Sequence, residues 1–158
     1  MIKVGMGVDI HPFEEGRRCV LGGVHIPHSK GLLGHSDADA LVHAVMDALL
    51  GAIGERDIGY FFPDTDAKWK DTNSLKLLEV VRGVLEKKKV VVHNIDVTVV
   101  AQEPKLAPHI ATMRENLARA LGIQTSQIGV KATTSEWMGF TGRKEGIVAL
   151  ATACIDCP

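Results

Sequence analysis

Gly7-Val8-Asp9-Ile10-His11 closes an N-terminal run in which Ile2, Val4, Met6 and Val8 alternate with Lys3, Gly5 and Gly7. A period of two marks a strand with unlike faces, and it predicts that the Ile2/Val4/Met6/Val8 face over residues 2–8 is the buried one. In the same strand Asp9 and His11, two residues apart, project side by side. The second decisive stretch, His35-Ser36-Asp37-Ala38-Asp39-Ala40-Leu41-Val42-His43, reads as a loop entering a helix. Ser36 is the expected cap, with Asp39 three residues on completing a box-like start. Ala38, Leu41, Val42, Val45, Met46, Leu49, Leu50 and Ile53 then form a wide apolar stripe. His43 falls about 110° from the centre of that stripe. It is expected on the flank of the helix, one turn from Asp39 and one from Asp47, either of which can orient its second nitrogen. Asp9, His11 and His43 together make a three-ligand set for Zn²⁺ with a fourth position open to substrate.

Outward from these stretches, Cys19-Val-Leu-Gly-Gly-Val-His-Ile-Pro reads as two short strands turning on Gly22-Gly23, with His25 and His28 as solvated loop histidines. Asp57-Ile-Gly-Tyr-Phe-Phe-Pro-Asp-Thr-Asp is a hydrophobic, Gly/Pro-punctuated loop that fits either a flap or a segment pinned by Phe61 and Phe62. A second helix is expected from about Thr72 to Lys88, with Lys87-Lys88-Lys89 complementing its C-terminal dipole rather than forming a nucleic-acid patch. A strand follows over Val90 to Val100, then a helix over about 109–121 that stops at Gly122. Strands at Ile128–Thr133 and from Gly146 to Cys154 complete the series. This order predicts a single α+β domain over residues 1–158, a mixed sheet with helices packed on one face.

Composition narrows the classes of function. The chain has 158 residues, 46% hydrophobic and 23% charged, as expected of a globular protein with a full core. A net charge of −1 and only 4% aromatic residues give nucleic acid neither an attracting field nor a stacking platform. No apolar run is long enough for a membrane span, and the N-terminus lacks the pattern of a signal peptide, so a cytoplasmic location is expected. Cys19, Cys154 and Cys157 are odd in number and do not make a disulfide framework; Cys154-Ile-Asp-Cys157 is a poor zinc site without a second pair.

Two more stretches carry phosphate-type chemistry. His35-Ser36 stands at a helix start, where free N–H groups favour an anion. Thr133-Thr134-Ser135-Glu136 supplies three hydroxyls and a carboxylate, hard oxygens suited to Mg²⁺ and phosphates, although turn capping explains the hydroxyls equally well.

Taken together, Gly7-Val-Asp-Ile-His, Lys30-Gly-Leu-Leu-Gly-His-Ser-Asp-Ala-Asp, Asp57-Ile-Gly, Phe62-Pro-Asp-Thr-Asp, Asp96-Val-Thr-Val-Val-Ala-Gln-Glu-Pro-Lys, Lys131-Ala-Thr-Thr-Ser-Glu and Gly139-Phe-Thr-Gly-Arg resemble the 2-C-methyl-D-erythritol 2,4-cyclodiphosphate synthase family. The resemblance covers nearly the whole chain. It implies a phosphorus–oxygen lyase of non-mevalonate isoprenoid biosynthesis, which cyclises 4-diphosphocytidyl-2-C-methyl-D-erythritol 2-phosphate and releases CMP. It implies Zn²⁺ at Asp9, His11 and His43, and Mg²⁺ or Mn²⁺ on the diphosphate at Glu136. It further implies His35 and Ser36 as the phosphate-positioning pair, with His35 and Thr134 as donors to the developing charge. Substrate contacts are implied at Asp9, Ile10 and His11, at Asp57, Ile58 and Gly59, and along Phe62, Pro63, Asp64, Thr65 and Asp66. The cytidine diphosphate segment would be Ala101, Gln102, Glu103, Pro104, Lys105, Leu106 and Ala107, shared with Thr133, Thr134 and Ser135. Homotrimers with active sites between subunits are implied as well, with Phe140 and Arg143 lining a central channel that can take an isoprenoid diphosphate.

Overall fold

Strand β1 (Ile2–Glu15) takes in residues 2–8 and the Asp9/His11 pair as expected and runs on beyond His11 to Glu15. It pairs antiparallel with β7 (Gly146–Asp156) along the register from Ile2 opposite Asp156 to Pro12 opposite Gly146. Its far end pairs antiparallel with the short β4 (Lys30–Leu32). Beyond β7 lie β5 (Val91–Val100), antiparallel, and then β6 (Ile128–Thr133), parallel to β5. The result, in this computed structural model describing residues 1–158, is a five-stranded mixed sheet of order β4-β1-β7-β5-β6. The hairpin of β2 (Cys19–Leu21) and β3 (Val24–Ile26) forms as the Gly-Gly pair predicts, with both glycines at positive φ.

The two faces of β1 are the reverse of the expectation. Gly5 and Gly7 are buried under helix α1 (Ala40–Ala52), while Ile2, Val4, Met6, Val8 and Ile10 are between 44% and 69% exposed in the single chain. The physical reason is backbone proximity. A Cβ built on Gly5 would lie 2.0 Å from the Ala48 carbonyl oxygen, and one on Gly7 2.0 Å from that of Ala44. Only glycine lets strand and helix approach so closely. On β7 the small residues Ala149, Ala151 and Ala153 continue the same buried face, and Leu150 lies on the open one.

Helix α1 is consequently buried nearly all round, more fully than a stripe would require. Leu41, Leu49 and Leu50 are completely covered, each contributing about 1.5–3 kcal/mol of burial free energy. Its N-cap is Asp39, which accepts from Val42 N at 3.1 Å, and not Ser36. Asp39 also accepts from Gly22 N at 2.9 Å and Gly23 N at 2.7 Å, so one buried carboxylate ties the β2–β3 turn to the start of α1. The sequence carries no local sign of that long-range role.

The short α2 (Ile58–Phe61) follows, capped by Asp57, and then α3 (Ser74–Lys87), capped by Asn73 two residues later than expected. Helix α4 (Ile110–Leu121) ends at Gly122 with φ 68°, as predicted. A short α5 (Gly139–Gly142) leads into β7. Cys19 is buried, and Cys154 and Cys157 are half-buried; all three thiols are free. No helix is long and apolar enough to cross a membrane.

Candidate active site

Asp9 and His11 do share a face of β1, beyond the two glycines, and α1 brings His43 across to them. Asp9 Oδ2 lies 2.8 Å from His11 Nε2 and 3.1 Å from His43 Nδ1, and the two nitrogens are 3.4 Å apart. A tetrahedral ion with ligands at about 2.0–2.1 Å has ligand–ligand edges of about 3.3 Å, so the three donors are already near the spacing such an ion requires. Two imidazole nitrogens and one carboxylate oxygen suit a divalent first-row transition-metal ion.

The outer contacts of both imidazoles are set. His11 Nδ1 is 2.8 Å from the Leu33 carbonyl, which can only accept, so Nδ1 carries a proton and Nε2 is the free donor. His43 is 7% exposed and directs Nε2 away from the cluster, 3.1 Å from Ser36 Oγ and 2.9 Å from Ser74 Oγ. The expected partners Asp39 and Asp47 do not orient it: Asp39 holds the hairpin, and Asp47 accepts from Ile58 N at 2.8 Å to anchor α2. Burial acts to raise the Asp9 pKa, but the two imidazoles beside its carboxyl, His11 first, outweigh it and hold the carboxyl below its usual range. Burial likewise acts to lower His11, while the Asp9 hydrogen bond and charge, with the Leu33 carbonyl, leave it above its ordinary value. Both directions follow from the close approach of Asp9 and His11, and a divalent ion binds such ligands in their deprotonated forms.

The cluster opens onto a cavity of about 240 Å³. Gly34, His35, Ser36, Ile58, Gly59, Phe62, Asp64, Trp69 and Leu77 complete its lining. Phe62, 7% exposed, packs against Trp69 with ring centroids 5.0 Å apart, so the hydrophobic loop is pinned as a wall. His35 Nε2 lies 3.3 Å from the Asp66 carbonyl oxygen, and Ser36 Oγ accepts from Ala38 N. Several other residues singled out from the sequence fall elsewhere. Ile10 projects to the opposite face of the sheet, and the Asp57 and Asp66 side chains cap local turns. Pro63 and Thr65 do not line the cavity.

A second group of predicted residues gathers apart from the first. Ala101 N bonds to the Thr133 carbonyl at 3.0 Å, and Trp137 N to Gln102 Oε1 at 3.1 Å, which joins the 101–107 segment to the 133–136 loop. Glu103 pairs with Lys144 at 2.7 Å, Leu106 is buried, and Lys105, Thr133, Thr134 and Glu136 are exposed. Ser135 Oγ donates to the Met138 carbonyl at 2.7 Å, so that hydroxyl shapes the turn. Phe140 is 38% exposed, and Arg143 pairs with Glu145 at 2.9 Å. None of these residues lines the cavity beside Asp9, His11 and His43 in the same chain. Residues given no role from the sequence are Ser74 and Trp69, which reach the site from a distant segment without a motif to mark them, and Asp37, which stands inside the His35–His43 stretch but carries no sign of its bond to Ser74.

A cluster of three protein donors with one side open to a cavity is the arrangement of a catalytic rather than a structural metal site, and it places the chain among metal-dependent enzymes. Residues 2–156 match the YgbB family, and the chain belongs to that family. It is 58% identical over 155 residues to the 2-C-methyl-D-erythritol 2,4-cyclodiphosphate synthase of Syntrophomonas wolfei, covering 98% of this chain and 99% of that one. The enzyme of the same name from Bacillus subtilis is 54% identical over 156 residues, covering 99% of each. Among solved structures, the bifunctional IspDF of Campylobacter jejuni superposes with a TM-score of 0.91 at 42% identity; the match covers all of this chain and 43% of that longer one. The CDP complex of Plasmodium falciparum IspF gives a TM-score of 0.87 at 35% identity, covering 99% of this chain and 96% of that one.

Proposed function

We propose that this chain closes 4-diphosphocytidyl-2-C-methyl-D-erythritol 2-phosphate onto itself, giving 2-C-methyl-D-erythritol 2,4-cyclodiphosphate and CMP in isoprenoid precursor synthesis. The observation that carries the reading is the Asp9–His11–His43 cluster beside His35 and Ser36 in one cavity. An oxygen of the 2-phosphate attacks the β-phosphorus, the bond from that phosphorus to the bridging oxygen breaks, and CMP departs with the bridging oxygen. A phosphate nucleophile is ionised near neutral pH, so the site needs no strong general base. Its task is to overcome the mutual repulsion of two anions and hold them in line.

Asp9, His11 and His43 would hold a divalent cation, Zn²⁺ by the donor set, which when bound supplies Lewis-acid withdrawal of charge from a phosphate oxygen. Ser36 Oγ accepts from Ala38 N and lies 3.1 Å from His43 Nε2; with the proton of that pair on Nε2, the Ser36 hydroxyl is free to donate to a phosphate oxygen. His35 donates beside it, and Ile58, Gly59, Phe62 and Asp64 enclose the methylerythritol unit. The 101–107 and 133–136 group takes the cytidine diphosphate, with Lys105 countering its charge and Thr134 stabilising the developing negative charge. Glu136 would hold Mg²⁺ or Mn²⁺, which would supply charge neutralisation for the diphosphate.

Because the two groups lie apart within one chain, each active site is completed by the second group of a neighbouring copy in a homotrimer. The open apolar face of β1 supports this assembly, since a contiguous patch of Ile2, Val4, Met6, Val8 and Ile10 is unusual on a protein that stays single. Phe140 and Arg143 would then face the shared axis, where an isoprenoid diphosphate can sit. Phosphorus NMR of the protein with substrate, Zn²⁺ and Mg²⁺ tests the reading: CMP with a cyclic diphosphate supports it. CMP with a linear product points to a hydrolase, and binding without turnover to a carrier.

A further inference from the structure

His43 can serve as a metal ligand only if its Nδ1 presents a lone pair, and nothing on the metal side enforces that. Asp9 Oδ2, 3.1 Å from Nδ1, would just as readily accept a proton from it. The decision lies on the far side of the ring. Asp37 accepts from three donors: Ser74 N at 2.9 Å, Asp39 N at 3.1 Å and the Ser74 hydroxyl. A carboxylate only accepts, so the single proton of the Ser74 hydroxyl is committed to Asp37. With that proton spent, Ser74 Oγ can meet His43 Nε2, 2.9 Å away, only as an acceptor. Ser36 Oγ, the other neighbour of Nε2 at 3.1 Å, already accepts from Ala38 N and has room to accept again. The proton therefore sits on Nε2, and Nδ1 is left bare toward Asp9 and His11.

We propose that Asp37 and Ser74 are positioning residues: a carboxylate–hydroxyl relay that sets the proton polarity of His43 and thereby the affinity of the cluster for a divalent metal. Both groups are suited to the task. Ser74 is fully buried at the start of α3, and its backbone N–H is bound to the same carboxylate that takes its hydroxyl proton, so the relay cannot rotate freely. Asp37 is held in turn by the Asp39 N–H. An outer carboxylate also raises the electron-donating strength of a ligated imidazole, the usual effect of such partners. An amide at position 37 cannot satisfy all three donors. In the orientation that keeps the Ser74 N–H bonded, its NH₂ faces Ser74 Oγ and turns the hydroxyl proton toward Nε2, which favours the tautomer that cannot bind metal.

The inference rests on the metal reading of the site, and its test is separate from turnover. Zinc affinity is measured by competition with a chromophoric chelator for the wild type, Asp37→Asn and Ser74→Ala, and the ring nitrogens of His43 are followed by ¹⁵N NMR in metal-free protein. The expected result is a loss of zinc affinity of about 10–100-fold in both variants. Nε2 should be protonated in the wild type and should lose its fixed proton in Asp37→Asn. A merely structural role would lower the thermal midpoint and leave the His43 nitrogen signals in place. Unchanged zinc affinity in both variants, or a protonated Nε2 in all three proteins, overturns the relay. A wild type that binds no zinc overturns it together with the metal reading, whereas zinc binding without cyclisation removes only the proposed reaction.

Discussion

Along β1 the odd-numbered positions Gly5, Gly7, Asp9 and His11 lie under α1, and the even-numbered Ile2, Val4, Met6, Val8 and Ile10 face outward. The inner row has almost no side chain until it reaches Asp9 and His11; the outer row is among the most apolar surface of the chain. The inner row gains stability from proximity, with backbone against backbone and no room for a Cβ. The outer row has nothing of its own chain to cover it. Hydrophobicity alone therefore misidentifies the inside of this strand, and the glycines are the better guide to where a neighbouring element comes close.

The harshest way to break this contrast is Gly7→Val. Its side chain would meet the Ala44 backbone at a distance no rotamer relieves, and the expected cost exceeds about 4 kcal/mol, enough to unfold the chain in thermal or urea melts. Ready folding of this variant would mean that α1 does not sit on the strand as described. His43→Ala, at the chemical end of the inner row, is expected to keep the fold, lose zinc and lower turnover by roughly 10³-fold or more, as the loss of several kcal/mol of charge stabilisation implies. Zinc content by atomic absorption, read beside far-ultraviolet circular dichroism, separates those two effects. On the outer row Met6→Asp should leave the fold of the single chain within about 0.5 kcal/mol while dissociating any assembly, visible by sedimentation. A trimer that survives this charge does not use that face.

The mildest expected effect concerns Asp39, at the head of α1. Burial and the charge of Asp37 push its carboxyl up to about 6, against the pull of the Gly22, Gly23 and Val42 N–H groups. A pKa raised from 3.8 on folding means that the folded state holds the proton longer. The stabilising contribution is then complete below about pH 3.8 and is lost as pH rises through about 6. Urea melts of wild type and Asp39→Asn between pH 4 and 7 should give a stability difference that shifts against the wild type as pH rises. A shift in the other direction would show that the three N–H donors dominate.

Much of this was legible in the sequence, for identifiable reasons. Alternation placed Asp9 and His11 on one face, the Gly22-Gly23 pair produced its hairpin, and Gly122 ended α4, because each depends on neighbours only a few residues away. The family resemblance, carried by motifs along the whole chain, agrees with the match over residues 2–156. What was not legible depends on distant partners. Ser36 gave way to Asp39 as the cap because Asp39 also has the hairpin amides to bind. His43 turned to Ser74, which is 31 residues away, instead of the carboxylates one turn along its own helix. The separation of the 101–107 and 133–136 group from the metal cavity has no local signature at all.

The glycine contact also has a consequence for precision. Gly7 is two residues from Asp9, and the carbonyl it rests against belongs to Ala44, the immediate neighbour of His43. The thickness of that single backbone-to-backbone contact therefore works as a gauge for the span between Asp9 and His43, the proposed metal ligands drawn from different elements. A spacer as small as one methyl group would widen the jaws on which the ion must close, and a misplacement of about 1 Å at a reacting centre can cost about 10²-fold in rate.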